Sequence, residues 1–150
     1  GIIGNGDITM DWIVQVLKRT VDTQYRTKAD RRHTFLAGSS MGGLMTLYGL
    51  LAYPEVFSRG AALSPSLWID AEKVKAMIRH ARVKRNTVLY MDYGALEFAD
   101  HPHSRSLFAE VSALLIEKRV LLNSRIVPRG THCEASWEKQ IPFFMKTLFE

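Results

Sequence analysis

The stretch Gly38-Ser39-Ser40-Met41-Gly42-Gly43 constrains this chain more than any other. Before it lies an apolar run, Thr34-Phe35-Leu36-Ala37, and behind it a helix-like run over residues 44–51. A G-x-S-x-G pattern between a strand and a helix demands a sharp turn with the serine held up at its apex. Small neighbours let the backbone take that strained turn and let another molecule approach closely. Ser40 is therefore the candidate nucleophile, with Ser39 beside it as a candidate for the pocket wall. The bland alternative is a Gly/Ser-rich loop that binds an anion at a helix N-terminus. The rest of the chain decides between the two.

The pattern along the chain predicts helices over 9–25, 41–52, 70–82, 104–118 and 134–149. The first carries Ile13, Val16, Leu17, Val21 and Tyr25 near the 3.6-residue period, and the last carries Trp137, Ile141, Phe144 and Leu148. Asp70 and Ser104 are expected near helix starts as caps. Strands are expected over 33–38 (short and buried), 60–64, 87–91 and 121–127. Strands that alternate with helices imply an α/β fold, with a mainly parallel sheet covered on both faces. Chemistry in such sheets gathers beyond the carboxyl ends of the strands. Ser40, the segment 64–68, the loop after Met91 and His132 all fall there.

A serine hydroxyl needs a base within hydrogen-bond reach, and the base needs a third group to fix its tautomer. His132 follows the last strand, in Pro128-Arg129-Gly130-Thr131-His132-Cys133-Glu134, where a general base is expected. Three carboxylates compete to orient it: Glu97, Asp92 and Asp100. Glu97 leads, because a Gly-x-x-acid turn from Gly94 would swing it towards the histidine; a Ser–His dyad with no acid is the remaining option. The backbone N–H of Met41, the residue after the nucleophile, is the expected oxyanion donor. Trp68, at the end of the second strand, is a candidate for the substrate pocket or for plain core packing. Trp137 reads as a helix-to-core anchor and Cys133 as a small semi-buried thiol. His101-Pro102-His103 lacks companion ligands at useful spacing and reads as a mobile surface loop, so neither metal nor cofactor is expected.

The chain has 150 residues, the length of one ordinary domain, and is read as a single domain over 1–150. Its net charge is +5, but the basic residues are scattered along helix and loop flanks. They read as a solvated face, not a nucleic-acid surface. No apolar run approaches membrane-span length, and residues 1–7 have no signal-peptide pattern. The lone Cys133 excludes an intrachain disulfide, so a cytoplasmic setting is expected.

These motifs together resemble the putative-esterase family of α/β-hydrolases, which includes siderophore, feruloyl and acetyl-xylan esterases, S-formylglutathione hydrolase and the mycolyltransferases. The resemblance rests on residues 30–43, on Tyr53-Pro54-Glu55-Val56-Phe57, on Ala62-Leu63-Ser64-Pro65-Ser66-Leu67-Trp68, and on Gly130-Thr131-His132-Cys133-Glu134-Ala135-Ser136-Trp137. It implies a three-layer α/β/α fold and a serine esterase working through an acyl-enzyme on a small-molecule ester. Ser40 would be the nucleophile, His132 the base and Glu97 the acid. The family's domain is usually longer, so the chain reads as its C-terminal portion. The N-terminal strands are then expected to be missing, with Ile2-Ile3 as their only remnant. That would leave the strand around Phe35 with an open edge and a route to homo-oligomers. The alternatives are a catalytically silent hydrolase-like binding module and an acyltransferase using the same residues.

Overall fold

A computed structural model describes residues 4–100 and 102–150, with the backbone alone at Asp100. The expectations for Ile2-Ile3, for the Asp100 side chain and for His101 lie outside the described residues. Four strands, β1 (Phe35–Ser39), β2 (Arg59–Leu63), β3 (Val88–Gly94) and β4 (Leu121–Val127), form one sheet in the order β1-β2-β3-β4. Every pairing is parallel, because each connection crosses back through a helix: α3 (Met41–Ala52), α4 (Ala71–His80) and α6 (Ser104–Glu117). The remaining helices are α1 (Gly6–Trp12), α2 (Lys18–Gln24), the short α5 (Glu97–Asp100), α7 (Glu134–Glu138) and α8 (Ile141–Phe149).

The two-residue alternation of the strands sorts the core into two layers. Ala62, Leu89, Met91 and Tyr93 face the larger one, with Leu47, Leu50, Val74, Ile78, Val111 and Leu115 of the crossover helices. Ala61, Leu63 and Tyr90 face the smaller one, against Leu148 and the partly buried Phe35, Trp137 and Phe144. Each fully buried aliphatic side chain, such as Ile78 or Leu115, contributes about 1.5–3 kcal/mol. The register aligns Ser39 with Leu63, and Leu63 with Asp92. Ser40, Ser64 and the loops after Gly94 and Val127 therefore emerge along one edge.

Three helical expectations change. The N-terminal segment is helical over 6–24, but a π turn at Ile13–Leu17 interrupts it. That wide turn puts an extra residue into the 3.6-residue repeat and rotates the expected stripe off the core. Met10 and Val14 are buried and Ile13 packs beside them, whereas Val16, Leu17, Val21 and Tyr25 are exposed. The last helix is two pieces, since Pro142 sits in the first turn of α8 and fits a helix start but not a helix interior. The break turns Ile141 outward while Leu148 stays buried. Ser104 is the first residue of α6 and His103 its cap. Asp70 does cap α4, accepting from the Lys73 N–H at 3.1 Å. The strand expected to be buried, β1, lies at the edge of the described sheet with Ala37 exposed. Among the described residues no helix is long and apolar enough to cross a membrane.

Candidate active site

Ser40 is the N-cap of α3, with φ 56° and ψ −120°. A non-glycine residue held there stores of order 1–3 kcal/mol of strain, which the surroundings must offset. They do so with hydrogen bonds on both sides. The Ser40 N–H donates to Leu63 O at 2.9 Å, and Ser40 O accepts from the N–H groups of Leu44 and Ser66 at 3.1 Å each. The turn folds back so tightly that a Cβ on Gly38 would stand 2.5 Å from the Gly42 carbonyl carbon. The Gly-x-Ser-x-Gly spacing is thus a packing requirement at its first glycine.

The loops after β3 and β4 are fastened to each other. Ala95 N–H donates to Val127 O and Leu96 N–H to Gly130 O, both at 3.0 Å. A side chain on Gly94 would collide with the Gly130 backbone at 2.4 Å. This clasp carries Glu97, buried at the start of α5, to the half-exposed ring of His132.

The three side chains form one line. His132 Nε2 is 2.8 Å from Ser40 Oγ, and His132 Nδ1 is 2.7 Å from Glu97 Oε2. An ionised carboxylate only accepts, so Nδ1 carries the proton and Nε2 is free to accept from the serine hydroxyl. Glu97 Oε1 accepts from the Gly94 N–H and the Ser64 hydroxyl, each at 2.7 Å. Trp137 stands edge-on to the His132 ring, with centroids 5.0 Å apart. Such an arrangement can take a proton from a hydroxyl as it attacks and return it to a leaving group.

The other expected residues fall as follows. Met41 opens α3, so its N–H has no acceptor one turn back within the helix and points from a helix N-terminus. Ser39 ends β1, partly buried. Trp68 is half-exposed on a 3-10 turn (Leu67–Asp70) and lines a hollow of about 480 Å³ with Lys75, Pro102, His103, Leu107 and Glu110. Asp92 is not brought to the histidine. It is buried in β3, where it accepts from the Tyr90 hydroxyl at 2.7 Å and the Ser64 N–H at 3.2 Å. Burial pushes its carboxyl above the ordinary value of 3.8. The Cys133 thiol lies 3.2 Å from the Thr131 hydroxyl, which holds it below its usual range.

Sequence reasoning placed the segment 64–68 at this edge but gave no role to its two serines. Ser66 Oγ lies 3.3 Å from Ser40 Oγ, and Ser64 joins Glu97 to the Trp137 indole, which donates to it at 3.0 Å. The available signal was polar residues at the end of a small-residue strand, where plain packing would favour apolar ones.

A family model described as "Putative esterase" matches residues 7–146. The chain belongs to this esterase family. A similar curated member is the iron(III) salmochelin esterase of Escherichia coli O6:H1, 44% identical over 48 residues, which are 32% of this chain and 12% of that protein. Among solved structures, an IroE-like serine hydrolase from Shewanella oneidensis superposes with a TM-score of 0.77 at 20% identity, covering 97% of this chain and 47% of that one. The enterobactin esterase of Shigella flexneri gives 0.67 at 25% identity, covering 91% and 36%. A ferulic acid esterase gives 0.72 at 16% identity, covering 93% and 58%. The chain thus spans less than two thirds of each of these proteins, and it shares its fold with these three solved structures.

Proposed function

We propose that the protein hydrolyses carboxylic esters through an acyl-enzyme formed on Ser40. The hydroxyl oxygen attacks the ester carbonyl carbon while its proton passes to His132 Nε2. The tetrahedral oxyanion is held by the Met41 N–H. When the C–O bond to the alcohol breaks, the alcohol leaves with the proton from His132. Water then repeats the sequence on the acyl-enzyme and releases the acid and the free serine. Glu97 holds the imidazole tautomer and stabilises the imidazolium that forms in each half.

The observation that carries this reading is the line Ser40 Oγ–His132 Nε2–Glu97 Oε2, with both steps below 3 Å. Membership of an esterase family supports it. The compounds to try first are those for which similar proteins are named: salmochelin, enterobactin and esters of ferulic acid. A fluorophosphonate probe tests the mechanism without knowledge of the substrate. The wild-type protein is expected to be labelled on Ser40, and the Ser40→Ala and His132→Ala variants are not. Equal labelling of wild type and Ser40→Ala removes the proposal.

A further inference from the structure

Glu97 is buried and accepts three hydrogen bonds: from His132, from the Gly94 N–H and from the Ser64 hydroxyl, all at 2.7 Å. The first two follow from the role of the base and the shape of the turn. The third needs its own account, because a hydroxyl can rotate its proton towards any acceptor. Here it cannot. The Trp137 indole N–H, which only donates, lies 3.0 Å from the same Ser64 oxygen. That oxygen receives the indole proton, so its own proton goes to Glu97.

The Ser64 backbone is equally committed. It is buried, its N–H donates to Asp92 O at 3.1 Å and to Asp92 Oδ1 at 3.2 Å, and its φ is 41°. Glycine would occupy that left-handed region with less strain. A serine there carries a cost, and its side-chain hydrogen bonds to Glu97 and Trp137 help to offset it. Trp137 meanwhile presses its ring against His132, so one indole braces the base directly and the acid through Ser64.

We infer that Ser64 is a positioning residue. With its proton direction set by Trp137, it fixes the Glu97 carboxylate so that Oε2 stays on His132 Nδ1. The inference rests on the esterase reading. Losing the Ser64 donor leaves the carboxylate free to turn, so Oε2 no longer stays on Nδ1 and the balance between the acid and the imidazolium changes.

The experiment compares wild type, Ser64→Gly, Trp137→Phe and the double variant on the whole natural protein. It measures kcat and KM on p-nitrophenyl acetate across pH, with thermal melting alongside. Ser64→Gly removes the hydroxyl but accepts the backbone conformation, so its melting temperature should stay close to wild type. Its kcat is expected to fall by tenfold to about a hundredfold, the scale of a misplacement of roughly 1 Å. KM should change little, and the acid limb of the kcat/KM profile should shift. Trp137→Phe is expected to give a smaller change in the same direction, and the double variant little beyond Ser64→Gly alone. A purely structural serine would move the melting temperature and leave the acid limb in place. Wild-type kcat with an unmoved acid limb in Ser64→Gly overturns the inference. If that variant does not fold, an unmoved acid limb in Trp137→Phe overturns it. Fluorophosphonate labelling of the wild type separates the two claims: labelling on Ser40 keeps the esterase reading whatever Ser64 does, and its absence removes both.

Discussion

Asp92 and Glu97 stand five positions apart, both buried, yet they experience different surroundings. Asp92 lies within β3 and spends its oxygens on Tyr90 and Ser64, while Glu97 lies beyond the strand end and reaches His132. Exchanging each for its amide should separate them. Glu97→Gln is expected to lower kcat on a chromogenic ester by about 10³–10⁴-fold, since an amide in that place favours the wrong imidazole tautomer. Asp92→Asn is expected to act on stability instead. Burial raises the Asp92 carboxyl above 3.8 in the fold. The folded state therefore holds that proton more tightly than the unfolded chain does. The wild type has the full benefit below pH 3.8 and loses it as pH rises through the raised value. Urea denaturation should show the wild type losing stability relative to Asp92→Asn across that window; a pH-independent difference contradicts the assignment. That Ser40, His132 and Glu97 would meet was legible in the sequence, from a turn motif, from chain order and from the Gly-x-x-acid spacing at Gly94. Ser64 was not, because its partners depend on strand register and on an indole 73 positions away.

At the scale of the element, local pattern was a good guide wherever one period ran unbroken. The crossover helices α3 and α4 form where helices were expected, and Asp70 caps α4 as read. It failed where the backbone changed phase. The π turn at Ile13–Leu17 and the break before Pro142 each rotate a stripe that looks continuous on paper. No residue in Ile13–Leu17 announces such a turn, because it adds one position without a distinctive side chain. The strand-to-helix turn at Ser40 gives the sharpest test at this scale. Gly38→Ala places a methyl group 2.5 Å from the Gly42 backbone, where no flexible side chain can yield. It is expected to cost about 1–3 kcal/mol by urea denaturation and to reduce fluorophosphonate labelling of Ser40 while the far-ultraviolet circular dichroism stays helical. Full labelling at wild-type stability contradicts the packing argument.

For the whole molecule, alternation of strands and helices was enough to give a parallel sheet with Ser40 and His132 at one edge. It did not reveal how unequally the strands are covered. β2 and β3 are almost wholly buried, whereas β1 and β4 are only partly so. Amide hydrogen exchange should follow that division, with the β3 amides exchanging most slowly and those of β1 and β4 opening first. Uniform protection across the sheet would show that the edges are covered in solution. Ile8, Trp12, Val16 and Tyr25 are exposed along the N-terminal helices.

The edge-on contact between Trp137 and His132 also makes an optical reporter. An indole emits, and a protonated imidazole against its ring quenches that emission. On the proposed mechanism, each change in the histidine's charge would be written into tryptophan fluorescence, with no dye attached. Replacing the exposed Trp12 and Trp68 with phenylalanine would leave Trp137 as the sole tryptophan, and a stopped-flow trace excited at the indole would then follow the proton in real time.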